Sequence, residues 1–231
     1  MIPSDGSLKG INFTMVNIKI NGIEYSVEEG TTILEACRQN GIKIPTLCWL
    51  KDINAIGACR ICVVEMTGAR SLVASCVYPL SKFDEGKNIM THSPAVLQSR
   101  KMTLQLLLSD HNMDCLACSR NGNCELQELC KELGVDDTTY FEGEKNEYDI
   151  DYSSKHMFRD NNKCIHCRRC IAACDKLQGI GVIGANNRGF KTSIDCAFDL
   201  DLAETACVSC GQCITACPTG ALSEKDDTDK V

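Results

Sequence analysis

Two runs of one pattern, C-x2-C-x2-C-x3-C, start 43 residues apart in this chain: CIHCRRCIAAC from Cys164 and CVSCGQCITAC from Cys207. Eight thiols at this spacing constrain the fold more than any other feature. A duplicated unit this small cannot bury its own face, so the two copies should pack on one another. Ten further cysteines bring the total to 18 in 231 residues, while aromatic residues make up only 5%. Large apolar side chains are too sparse for one thick core, so small units must be held together by disulfides or by metal.

The compartment decides between these. The N-terminus, MIPSDGSLKGINFTM, has no basic stretch followed by an apolar one, so no secretory signal is visible, and no apolar run is long enough to span a bilayer. The expected location is cytoplasmic, where thiols stay reduced and clustered cysteines read as metal ligands. A net charge of −7 without a basic block excludes nucleic acid as an expected partner.

Pattern divides the chain into an N-terminal extension (1–14), three units (15–92, 93–150 and 151–223) and an acidic tail (224–231), with an α+β fold class overall. In the first unit MVNIKI and IEYSVE alternate around Asn21-Gly22, a strong hairpin signal. TTILEACRQNGI then predicts a helix starting near Thr31 or Thr32 and ending before Gly41. The second unit is helical: Ser93 suits an N-cap and Pro94 a first helical position. Leu97, Lys101, Leu104 and Leu108 follow at helical spacing, as do Val96, Arg100 and Leu107. The helix should end near Asp110 and deliver His111 at its edge.

Three patterns carry chemistry. Cys48, Cys59, Cys62 and Cys76 form C-x10-C-x2-C-x13-C, close to the three-cysteine loop and distant fourth ligand of plant-type [2Fe-2S] sites, though with a longer first gap than C-x4-C. Gly57 and Ala58 would let backbone amides approach the sulfurs. A four-cysteine zinc site is the alternative, but zinc ribbons favour two C-x2-C knuckles and only one is present. Cys115, Cys118 and Cys124 form a second group lacking a fourth cysteine at the usual spacing. His111, in H-x3-C-x2-C-x5-C, is one candidate, and Cys130 is its rival, on a segment, CELQELC, whose helical pattern could carry the thiol away. The paired runs follow the two-cluster rule in which each fourth cysteine serves the other cluster. Cys164, Cys167, Cys170 and Cys217 should hold one [4Fe-4S] cluster; Cys174, Cys207, Cys210 and Cys213 should hold another. Pro218 follows the second run as that pattern asks, and Asp175 stands in its place after the first. Cys37, Cys130 and Cys196 remain, and buried free cysteines behave as small hydrophobes.

GIGVIG, Gly179 to Gly184, matches a dinucleotide fingerprint but precedes no helix and reads as a tight connection between the two halves. No nucleophile–base pair and no phosphate loop is recognisable, so no catalytic residue is expected and the chain should have no catalytic site of its own.

The order of motifs resembles the N-terminal electron-transfer region of [FeFe]-hydrogenases and of the large iron–sulfur subunit of NADH:quinone oxidoreductase; NGNCELQ, CRRCIAAC and CGQCITACPTGAL look most like the hydrogenase branch. The resemblance implies a β-grasp [2Fe-2S] ferredoxin domain, a small helical [4Fe-4S] domain with one histidine and three cysteine ligands in which His111 is the histidine, and a bacterial-type 2[4Fe-4S] ferredoxin domain. It implies one [2Fe-2S] and three [4Fe-4S] clusters relaying electrons within a hetero-oligomeric oxidoreductase, with a flavin-based, electron-bifurcating complex of an anaerobe the favoured form. A flavoprotein NAD(P)H-binding subunit, a small [2Fe-2S] subunit and ferredoxin are the implied partners. Two alternatives stand beside it: the relay part of an [FeFe]-hydrogenase whose H-cluster domain lies outside this sequence, and a zinc-stabilised scaffold without redox function.

Overall fold

The computed structural model describes residues 14–136, 141 and 143–228. Nearly all of the expected N-terminal extension, a few residues of the second unit and the end of the acidic tail lie outside the described residues.

The first unit opens with β1 (Met15–Ile20) and β2 (Ile23–Glu28), antiparallel, with Ile20 opposite Ile23. Asn21 and Gly22 both take positive φ, 52° and 87°, as the two-residue hairpin turn demands. The alternation of β1 sends Val16, Ile18 and Ile20 to the core. Next comes α1 (Ile33–Gln39), whose N-cap Thr32 and Glu35 form a capping box. Strands β3 (Val63–Met66), β4 (Val73–Ala74) and β5 (Asn88–Met90) complete a five-stranded mixed sheet in the order β2-β1-β5-β3-β4. One apolar core joins β1, α1 and β3, with Cys62 and Cys76 at its edge. This is the β-grasp arrangement the motif order implied.

The long helix α2 (Pro94–Ser109) begins at N-cap Ser93, as expected. Its buried face is Val96, Arg100, Leu104 and Leu108. This mixes the two stripes read from the sequence: Lys101 is exposed and Leu97 only half-buried. α3 (Glu125–Leu133) follows, closed by Gly134 in the left-handed conformation.

In the third unit the two repeats form β6 (Met157–Arg159) with α4 (Arg169–Ala172), and α5 (Gln212–Ala216) with β9 (Leu222–Glu224). Strands β6 and β9 pair antiparallel, and so do β7 (Ile183–Asn186) and β8 (Ser193–Cys196) between the copies. Gly179–Gly184 leads into β7, followed by a single 3-10 turn (Gly189–Lys191) and not by the α-helix of a dinucleotide fold. The residue that follows each run has a visible effect. Asp175 lets the helix after α4 continue as a widened π turn to Leu177, whereas Pro218 stops α5 at Ala216 and leaves Cys217 extended.

A second core ignores the boundaries between units. Leu47, Cys48, Cys59 and Ile61 pack with Leu104 and Leu108 of α2, with Leu126 and Leu129 of α3, and with Ile165 and Cys167. Among the described residues no helix is long and apolar enough to cross a membrane.

Candidate metal centres

Four sites emerge from the cysteine-bearing loops, each lined by a set the sequence had grouped. Cys48, Cys59, Cys62 and Cys76 are all buried and their thiols contact one another. Packed together, the four thiols share protons unequally: Cys48 and Cys62 are drawn toward thiolate while Cys59 and Cys76 are pushed up by their neighbours. The amides of Cys59 and Ala58 also donate to the Cys48 sulfur, the approach that Gly57-Ala58 promised. Donors aimed at sulfur favour the thiolate a metal needs.

A cavity of about 260 Å³ is lined by His111, Cys115, Cys118 and Cys124. His111 Nδ1 is buried and has no hydrogen-bond partner. Burial pushes the imidazole down to about 4, so it is neutral and ligand-competent at pH 7. An orphaned ring nitrogen on a cavity shared with three thiols fits a metal group. The rival is not carried away: Cys130, on α3, lines the same cavity, and burial raises its thiol to about 11. Cys124 is the N-cap of α3; its sulfur makes no capping hydrogen bond and instead lies 3.7 Å from Pro218 O, and burial pushes its thiol up.

The paired runs enclose two further cavities. One is lined by Cys164, Cys167, Cys170 and Cys217, the other by Cys174, Cys207, Cys210 and Cys213. The exchange of fourth cysteines between runs is thus realised in space. The repeat extends to the backbone: His166 and Arg168 take positive φ of 52° and 59°, and the equivalent Ser209 and Gly211 take 54° and 76°. These left-handed residues turn the loop inward, and His166 N donates to Cys164 Sγ at 3.4 Å. Burial pushes Cys164, Cys167 and Cys213 up to about 12, so thiolates here require a cationic partner. Among the described residues no three such groups converge on the position of a single ion. Ligands of a cluster bind different irons and stand around a volume instead.

Three residues with no sequence signal connect the sites. Asn54, buried, donates from Nδ2 to Cys48 O at 2.7 Å and to Cys167 O at 3.1 Å. Arg120 donates to Cys217 O at 2.6 Å, and Arg169 forks onto Glu125, beside Cys124, at 2.6 and 3.0 Å. Gly220 lies so close to the His111 site that a Cβ there would sit 2.5 Å from Cys118 Sγ. Of the leftover cysteines, Cys37 and Cys196 are fully buried, and Cys196 Sγ accepts from Arg159 at 3.4 Å rather than being purely apolar. His166, inside the first run, is half-buried.

Comparison with known proteins agrees with this layout. Residues 14–93 match a 2Fe-2S iron-sulfur cluster binding domain, 100–139 the NADH-ubiquinone oxidoreductase-G iron-sulfur binding region, and 163–221 a 4Fe-4S dicluster domain. The chain is 44% identical over 218 residues to the NADP-reducing hydrogenase subunit HndD of Solidesulfovibrio fructosivorans, covering 92% of this chain and 37% of that protein. It is 36% identical to the NADPH-Fe(3+) oxidoreductase subunit alpha of Geobacter sulfurreducens, covering 91% and 24%. The chain therefore spans about a quarter to somewhat over a third of the length of these relatives. A solved structure of an NAD+-reducing [NiFe]-hydrogenase in the H2-reduced state superposes with a TM-score of 0.83 at 28% identity, covering 91% of this chain and 87% of that one. The chain is an iron–sulfur region homologous to those of NADH-quinone oxidoreductase G and hydrogenase subunits, with a 2Fe-2S domain, the NADH-G iron–sulfur region and a 4Fe-4S dicluster domain in that order.

Proposed function

We propose that this chain is the iron–sulfur electron relay of a cytoplasmic, NAD(P)H-linked oxidoreductase complex. It would hold one [2Fe-2S] cluster on Cys48, Cys59, Cys62 and Cys76. Three [4Fe-4S] clusters would be held by His111 with Cys115, Cys118 and Cys124; by Cys164, Cys167, Cys170 and Cys217; and by Cys174, Cys207, Cys210 and Cys213. Residues 15–92, 93–150 and 151–223 serve as the three cluster-binding units.

The observation that carries the reading is the Asn54 bridge, which ties a ligand backbone of the first site to one of the third. On the other side of that third site, Arg120 binds Cys217 O and Cys124 Sγ contacts Pro218 O. The Cys164–Cys217 site is thereby tied to both the first site and the His111 site, an arrangement that suits a relay. When bound, the clusters supply one-electron chemistry; the protein supplies spacing, burial and donors to sulfur. Cys210 is exposed, which makes the last site a point of exchange with a soluble protein such as ferredoxin. A flavoprotein NAD(P)H-binding subunit and a small [2Fe-2S] subunit complete the proposed hetero-oligomer. The relationship to a hydrogenase subunit supports a second reading, a relay inside a hydrogen-converting enzyme.

Anaerobic isolation from the native host tests both. The expected result is about fourteen irons with matching sulfide per chain, two for the first site and four for each of the others, together with flavin-binding polypeptides identified by mass spectrometry. Zinc without sulfide would overturn the relay. Hydrogen evolution by the isolated assembly would select the second reading.

A further inference from the structure

Three arginines are buried among the described residues, Arg100, Arg159 and Arg169. Two have carboxylate partners. Arg159 pairs with Asp151 at 3.2 Å and Asp195 at 2.5 Å, and Arg169 pairs with Glu125. Arg100 differs. It reaches from α2 with only 1% of its surface exposed, Nε donating to Ile61 O at 3.0 Å and Nη2 to Val63 O at 2.9 Å. Those carbonyls flank Cys62. The anionic groups that act on Arg100 are Cys62 and Glu132. Glu132 lies at the surface and is already engaged by Lys43 at 3.5 Å.

An arginine stays protonated even when buried, and burying its charge without a counter-charge is strongly unfavourable. Two carbonyls satisfy donors but do not neutralise a cation, and a neutral side chain could have met them. The missing counter-charge lies one residue away. Four thiolates around a [2Fe-2S] centre carry net negative charge, and that charge grows by one when an electron enters.

We propose that Arg100 is the electrostatic counter-charge of the Cys48–Cys59–Cys62–Cys76 centre, a positioning residue that favours its reduced state and raises its potential. The proposal rests on the ligand set assigned above. Reduction adds one electron to the centre and Arg100 keeps its proton throughout, so no other group need change charge. A full charge this near, at the effective dielectric of a protein interior, alters the reduced-to-oxidised ratio by at least about tenfold, equivalent to about 59 mV for a one-electron couple.

The test is an EPR-monitored redox titration of the full chain with its clusters assembled anaerobically. In Arg100→Met the [2Fe-2S] signal should titrate at a potential lower by at least that amount, with the three [4Fe-4S] signals unmoved, and Arg100→Lys should restore most of the wild-type value. An unchanged potential in Arg100→Met, or an equal shift in Arg100→Lys, overturns the proposal, because contacts rather than charge would then set the potential. If Arg100→Met does not retain the centre, Arg100→Gln, which can still donate to one carbonyl, is titrated by the same criterion. Loss of the centre in both neutral variants with retention in Arg100→Lys supports the charge; loss in all three overturns it. Wild type separates the two layers: no [2Fe-2S] signal there would remove the relay reading and this proposal together, whereas a signal that Arg100 does not influence removes this proposal alone.

Discussion

At the scale of single residues, the second site turns on a choice between His111 and Cys130, which share one cavity. The imidazole is neutral and its Nδ1 lacks any partner, whereas ionising the Cys130 thiol is opposed by burial and by Cys124 and Cys115. Cys130→Ala should therefore leave the iron content of the chain unchanged. His111→Cys should keep all four irons at that site but lower the potential of its EPR signal, because a thiolate adds a negative charge that imidazole does not. Four irons lost on Cys130→Ala would reverse the choice. The groups of Cys and His that line each cavity were legible in the sequence because their spacings are local and distinctive. Asn54 and Arg100 were not. Their roles depend on backbone carbonyls brought to them by distant segments, and an asparagine in a loop or an arginine in a helix carries no local mark of that.

Elements were legible where their signals are local. The Asn21-Gly22 turn, the helix start at Thr32 and the Ser93-Pro94 helix start all lie where the sequence placed them, since each depends on neighbours within a few positions. The buried face of α2 draws on both stripes the sequence offers: the helix packs through one i+4 row, Val96, Arg100, Leu104 and Leu108, and spacing alone does not choose between neighbouring rows. The loop from Pro218 to β9 gives a test at this scale. Gly220 is there for space: a Cβ would collide with Cys118 Sγ. Gly220→Ala should displace that sulfur and cost the chain the four irons of the His111 site while the [2Fe-2S] and the other two centres remain, as iron analysis with EPR can show. Retention of full iron content would mean that the Cys118 loop can yield.

At the scale of the whole molecule, the three units are joined by one apolar core and a few polar ties, and Asn54 is the tie between the first and third sites. Asn54→Ala leaves two buried carbonyls without their donor, at a cost of roughly 1–3 kcal/mol each if water does not replace it. Thermal melting of the loaded chain should show the loss, and rapid-freeze EPR should show slower equilibration between the [2Fe-2S] centre and its neighbour. Equilibration at the wild-type rate would indicate that the bridge is structural only. The shared core also has a consequence for how the chain is made. A ribosome delivers Leu47, Cys48 and Asn54 early, while Cys167, whose carbonyl Asn54 binds, follows Asn54 by 113 residues. Until that later stretch emerges, Cys48 and Cys59 lack the packing that Ile165 and Cys167 give them. Iron loaded on the nascent chain would be unprotected, so a maturation machinery acting after release would meet a better-sheltered pocket than one acting during synthesis.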